Sequence, residues 1–576
     1  MRAAAFASAL VFPAFVMTAG AAQAQTAAAE APAATAPRPD AQDLARHVFA
    51  VLTGEIAANT GHPAVAYTEL LKAAQELDSA DLYRRAAEIA LRAGVPDKAL
   101  SAALAWRKAM PDSREARTWV VQLQLATGRL SDAGASIAHD LARTPEAQRG
   151  QAITALLPLA AQASDPVATL AMMRTALADQ GRFAQTDVVI GLLRARSGDR
   201  KGGFEDARRA LSADPGLAPA AALLLQLYPV NPEVADAAMR AFAAARPTDT
   251  GLRLAWVQAA LEQQRDGIAL AQLQQLTKDA PDLAPPWLLL GHLQTEFGDP
   301  ANAIVSLQTY LRLVRAEPEP PVLTPAYLAL AEASLKLGDA QQAGNWLDRI
   351  TPDASNRVAL ATSRAAVLVK QGKVDAALDQ VAALPAASAD QRKDRLLAHA
   401  QVLREARRYG AAYQVLIAGI RQAPTDADLL YEAAMMAEKS GNFKAAERLL
   451  RRTIAADPGS QPAYNALGYT MVERGQNLPE ARKLIAHALE LSPGNPFVLD
   501  SMGWAEYKLG HADRALDLLQ QAYDARPDPE IGAHLGEVLW QLGQHDNARA
   551  VWKAAQQRAP DDEMVRSVLR RFGVTF

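Results

Sequence analysis

The sequence has no cysteine among its 576 residues. That absence excludes disulfides, cysteine-ligated zinc, a thiol nucleophile and a lipid-modified cysteine. Aromatic residues are scarce, at 6%. Charge of either sign is nearly balanced: 60 basic against 63 acidic residues leave a net −3. So even a balance gives no case for nucleic acid, which calls for a basic patch. Also missing are H-E-x-x-H, G-x-S-x-G and a phosphate-cradling G-x4-G-K-[ST], the patterns of zinc hydrolysis, serine nucleophiles and nucleotide binding. The nine histidines are scattered. His534 and Glu537 would share one helical face, but no third ligand accompanies them, and the pair reads as part of a polar face. The expectation is a chain without catalytic residues, cofactor, metal or small-molecule substrate. Beyond the first residues, no stretch reaches the length of a membrane-spanning helix.

What is present begins with an export signal. Arg2 precedes an apolar run from Ala3 to Ala22, and Ala22-Gln23-Ala24 supplies the small-x-small pattern of a cleavage site. Residues 1–24 are therefore expected to be a signal peptide, with residues 25–40 a disordered Ala/Pro linker. The alternative is an uncleaved segment that anchors the chain in the inner membrane. Pro13 interrupts the run and Ala is weakly apolar, which favours cleavage and a periplasmic location in a Gram-negative bacterium.

The remainder repeats. Prolines stand at 424, 458, 493, 527 and 560, at steps of 33 to 35 residues. Between them recur a small residue, a Gly about seven positions on, and an Ala about five after that. The turn position is followed through Gly61, Gly94, Gly128, Ser164, Gly198, Asn231, Arg265, Gly298, Gly338, Gly372, Arg407, Gly441, Gly475, Gly510 and Gly543. Fourteen steps cover 482 residues, a mean of about 34. Only the step from Gly298 to Gly338 is long, and Glu317 to Pro321 marks a surface insertion there.

Tyr464, Leu467-Gly468, Gly475, Ala481, Ala488 and Pro493 form one unit, and Trp287, Leu290-Gly291, Gly298, Ala303, Leu307 and Tyr310 another. These residues resemble the tetratricopeptide repeat, a helical hairpin of about 34 residues. The resemblance implies an all-α fold, a right-handed solenoid of about fifteen hairpins over residues 41–560. In each hairpin the turn Gly ends the first helix, A, in a left-handed conformation. Pro stops the second, B. Small residues such as Gly468, Ala481 and Ala488 are expected where A and B touch. Residues 561–576 break the pattern and are expected to form a capping helix and tail, with Val565, Val568, Leu569 and Phe572 inward and Arg566, Arg570 and Arg571 on the wet face.

In this repeat type, A-helix positions 2, 5, 9, 12 and 13 face the concave groove. The last repeats place Tyr431, Tyr469, Phe497, Trp504, Tyr507 and Trp540 there. In a chain so poor in aromatics, their convergence marks a protein-binding surface, since Tyr and Trp dominate binding hot spots. The competing reading is that some fill gaps between neighbouring A helices. Chaperone co-factors of this class clamp a terminal carboxylate with Lys and Asn at groove positions 5 and 9; here no basic residue stands at those positions.

The segment Leu491 to Pro496 and Asp500-Ser-Met-Gly-Trp-Ala-Glu-Tyr-Lys-Leu-Gly510 resembles the last repeats of exported bacterial TPR lipoproteins that act as adaptors of a carboxyl-terminal-processing protease. The resemblance implies a non-catalytic adaptor that brings cell-wall hydrolases to that protease. Those adaptors carry a lipid on a Cys at the cleavage site. This chain has none, so it has no lipid anchor of that kind. The alternative function is an assembly subunit of an envelope export or polysaccharide secretion machine.

The mature protein should begin near Gln25. Intact mass of the exported protein checks this, and a full-length mass would overturn it.

Overall fold

The computed structural model describes residues 41–314 and 323–576. The expected signal peptide, the linker and the insertion at Glu317 to Pro321 lie outside the described residues. Among the described residues every regular element is helical. They form two units, one ending at Arg129 and one running Leu130–Phe576. In the first, the helices Ala41–Asn59, Pro63–Leu77, Ala80–Arg92 and Pro96–Ala109 each pack on the next, followed by Arg114–Ala126. Leu70, Ala86, Leu100 and Val120 share its core, and Tyr83 stacks on Trp106 at 6.4 Å.

The second unit is a solenoid-like array in which successive hairpins close on one another. Its last four A helices are Ala427–Lys439, Gln461–Glu473, Pro496–Lys508 and Pro529–Gln541. Their B partners are Phe443–Ala456, Leu478–Leu491, Ala512–Ala525 and His545–Arg558. Each of these B helices ends two residues before a proline of the repeat. The intervening residues Asp457, Ser492, Arg526 and Ala559 are all extended, with φ between −136° and −148°. A proline disfavours helical backbone in the residue before it, so the sequence itself marks these stops.

The turns obey the expected chemistry with informative exceptions. Gly441, Gly510 and Gly543 are left-handed, at φ 79°, 89° and 78°. The amide of Asn442 then reaches back to the Ala437 carbonyl at 2.8 Å and closes the helix end. Arg407 takes the same conformation without being Gly. At the turn expected on Arg265, the left-handed residue is Gln264 instead, at φ 56°. Asn231 is not a turn residue of this kind: its side chain caps the following helix through the Val234 amide. Ser164 is not left-handed either, and the surrounding hairpin is split into the short helices Glu146–Thr154 and Leu157–Gln162 before Pro166–Ala176.

Close approach of A to B rests on Gly at one repeat position. A Cβ on Gly468 would lie 2.5 Å from Ile485 Cγ1 and 2.9 Å from the Ala481 carbonyl oxygen. Gly291 and Gly503 face Leu307 and Leu519 in the same way, and a Cβ on Gly536 would fall within the Trp552 indole. Ala481 and Ala488 are fully buried at this contact. The chain ends in a cap, Glu563–Phe572, with Val565, Val568 and Leu569 buried. Among the described residues no helix is long and apolar enough to cross a membrane.

Gly536→Ala and Ala488→Leu should each destabilise the fold by about 1–3 kcal/mol, because a well-packed contact must be forced apart. Urea denaturation checks this; unchanged midpoints would show that the hairpins are looser than this packing.

Candidate functional site

The A helices 461–473, 496–508 and 529–541 and the cap 563–572 touch in succession. Their shared face is held by polar links that each span about one repeat. Glu438 accepts from the Thr470 hydroxyl at 3.0 Å. Glu473 accepts from the Trp504 indole N–H. Asp500 Oδ1 lies 2.9 Å from His534 Nδ1. Glu537 pairs with Arg571 of the cap. The sequence offsets are 31 to 34 residues. A residue and its counterpart one repeat later occupy neighbouring positions on adjacent A helices, so an acid and a donor at that offset meet.

Aromatic rings fill the spaces between these links. The Trp504 ring lies 4.2 Å from His534 and 5.1 Å from Tyr507, stacked on both. Tyr469 also stands 6.2 Å from His534, its ring tilted against the imidazole. Lys508 Nζ caps the Trp504 ring at 4.3 Å. The structure thus brings Tyr469, Trp504 and Tyr507 into one row. Tyr431 and Met435 flank the same apolar cluster from the preceding A helix.

Two of the sequence-expected groove residues lie elsewhere. Phe497 is 44% exposed but stands against Arg526, 5.1 Å from its ring centre, at the edge of the repeat. Trp540 packs 5.6 Å from Trp552 and 5.8 Å from Phe572. It belongs to the closure of the array by its cap. Trp504 is only 4% exposed. Its neighbours on both sides and its bonded N–H make it a gap-filling side chain, whereas Tyr431, Tyr469 and Tyr507 are half-buried.

His534 is not on a polar face. It is buried, with Asp500 and not Glu537 as its bonding partner. Glu537 is buried too, and Arg571 reaches back to it, so that arginine is not merely on the wet face of the cap. Among the described residues no group of three His, Asp or Glu is placed to hold a metal. The signal for these links was present as the one-repeat offset between Asp500 and His534, rather than as a local motif.

The electrostatics follow from burial among carboxylates. Burial, with Glu432 and Glu438 nearby, pushes the Tyr431 hydroxyl up to about 12. The Tyr469 hydroxyl is raised further by burial and by Glu473, Glu530, Asp500 and Glu438, and it has no hydrogen-bond partner. Burial alone would lower the His534 pKa, but Asp500, Glu530 and Glu473 together raise it. Glu537 is raised by burial, with Arg571 and Lys508 opposing.

Two segments match family models for the tetratricopeptide repeat, residues 403–468 and 501–563. Those two segments carry tetratricopeptide repeats. The chain is 39% identical over 171 residues to a TPR repeat-containing protein of Pseudomonas aeruginosa, covering 30% of this chain and 29% of that one. It is 26% identical over 432 residues to the cellulose synthase operon protein C of Pseudomonas fluorescens, covering 69% of this chain and 33% of the relative. The chain thus spans about a third of the length of these curated relatives. Among solved structures, a thermophilic TPR protein of Thermus thermophilus aligns at 24% identity over 32% of this chain and 100% of its own, with a TM-score of 0.29.

His534 yields a pH prediction. Its folded pKa is raised above the ordinary 6.5. Protonated His534 therefore contributes stability that is complete below about 6.5 and is lost as pH rises through the folded pKa. The wild-type thermal midpoint should fall across that range relative to His534→Gln. Parallel curves for the two proteins would show that the ring does not titrate there.

Proposed function

We propose that this chain is a non-catalytic protein-binding scaffold whose docking surface lies on the A helices of residues 427–541. The observation that carries this is the row of half-buried tyrosines, Tyr431, Tyr469 and Tyr507, on adjacent A helices already held rigid by one-repeat polar links. Such rings offer contact area with little rotamer entropy left to lose. Asp500 and Glu537 are buried against His534 and Arg571, but Glu473 and Glu530 remain exposed, which suits a basic segment of a partner protein. On the N-terminal sequence alone, we place the scaffold in the periplasm.

Two readings of the partner follow. The resemblance of residues 491–510 to protease-adaptor repeats favours an adaptor that delivers substrates to a carboxyl-terminal-processing protease. The likeness to cellulose synthase operon protein C, over 69% of this chain, favours an assembly subunit of a polysaccharide secretion machine.

A photo-crosslinking residue in place of Tyr507, expressed in the native cell, distinguishes them. Capture of a processing protease or its substrates supports the first reading, and of polysaccharide export components the second. With the captured partner in hand, Tyr507→Ala and Tyr431→Ala should each weaken binding by about 2 kcal/mol, roughly thirtyfold, with the fold intact. Trp504→Ala should instead cost stability, about 3–5 kcal/mol, because the ring is buried. Full binding by both tyrosine variants would remove the docking surface from this face.

A further inference from the structure

The second unit carries a contact that no repeat array requires. Gln264, Asp266 and Gly267 lie at the A–B turn of the hairpin formed by Thr250–Glu262 and Asp266–Asp279. They meet residues more than 220 positions later, at the loops that follow the B helices 478–491 and 512–525. Arg526 Nη1 donates to Asp266 Oδ2 at 2.7 Å, and both side chains are largely buried, at 14% and 19% exposure. The same guanidinium lies 4.6 Å from the Phe297 ring centre and 5.1 Å from that of Phe497. Gln264 accepts from the Asn495 amide, and its Oε1 lies 3.5 Å from the Ser492 hydroxyl. Backbone approaches backbone as well: a Cβ on Gly267 would stand 2.5 Å from the Ala525 carbonyl oxygen.

Both sides of this contact are preset by local structure. Arg526 is the extended residue before Pro527, which fixes its backbone at the edge of the repeat. Opposite, Arg265 is pinned by Asp236, which also accepts from Tyr228 at 2.6 Å and Trp256 at 2.7 Å. That buried network holds the turn beside the left-handed Gln264. Burial raises the Asp266 pKa, and Glu296 adds to this while Arg526 opposes it. A carboxylate in such a place is costly without its partner.

We propose that Arg526 is the bolt of an intramolecular latch that joins the turn at 264–267 to the loops at 492–497 and 525–526, and that the solenoid opens and closes there. Arg526 supplies the charge that Asp266 requires and the planar face that the two phenylalanines clasp. Every repeat between Gly267 and Ala525 lies inside the circuit so closed, and the A helices 427–439, 461–473 and 496–508 are among them. The latch therefore sets the curvature of part of the face assigned above to partner binding. That consequence rests on the proposed function, but the latch itself does not.

The absence of native cysteine gives a direct test in the full chain. Gln264→Cys with Ser492→Cys introduces the only two thiols, and mild oxidation should join them within one molecule, seen as altered mobility on a non-reducing gel. Adding Arg526→Ala should slow this crosslink at least tenfold while the helical circular dichroism is retained. Combining Asp266→Arg with Arg526→Asp should restore it, whereas Asp266→Arg alone should not. Failure of the two thiols to join in the folded protein would overturn the proposal. So would a crosslink between two copies, or a rate indifferent to Arg526. If Arg526→Ala unfolds the chain, Arg526→Lys keeps the test open: it retains the charge but loses the planar clasp, and an unaltered rate there would reduce the latch to a simple ion pair and overturn the role of the two rings.

Discussion

How closely helix A can approach helix B governs the rest of this structure. Where Gly291, Gly468, Gly503 and Gly536 meet side chains of the partner helix, helix A adds no side chain of its own between the two. A hairpin this thin has little interior of its own, so its larger apolar residues can be buried only by the next hairpin. Leu467 and Val498, Leu430 and Met471 belong for this reason to a single cluster that runs across several repeats. The last hairpin has no successor, and Val565, Val568 and Leu569 of the cap take that place.

Much of this was legible in the sequence because it is enforced locally. Pro424, Pro458, Pro493, Pro527 and Pro560 disfavour helix in the residue just before them, a bias that acts through local sterics. The turn glycines need a backbone conformation that other residues adopt only at a cost. Where that cost is accepted, as at Arg407 and Gln264, the pattern loses its mark, and at Gln264 the position shifts by one. The site was less legible. Periodicity places Trp504 on the A-helix face but does not say that His534 and Tyr507 will close over it. Phe497 and Trp540 share the expected register with Tyr469, yet one turns to the repeat edge and the other to the cap. Their neighbours come from Arg526 and Phe572, which no local pattern connects to them.

The polar links along the A-helix face add something that apolar packing cannot. Alanine and leucine contacts tolerate sliding by a fraction of a turn. The Asp500–His534 and Glu473–Trp504 bonds do not, because a buried group displaced from its partner loses the bond without regaining water. These links set the register between neighbouring hairpins, and the rings stacked among them inherit that register.

A linear array melts most readily from its ends, where a unit has one neighbour instead of two. The contact between Asp266 and Arg526 removes that simplicity from the span it encloses. An interior hairpin that unfolds there releases a segment whose two ends remain tethered, and a tethered loop gains less chain entropy than a free one. Over some 260 residues the array thus has the statistics of a ring. Its weak points are displaced toward the hairpins outside the circuit, and a fluctuation inside it is felt on both sides of the closure.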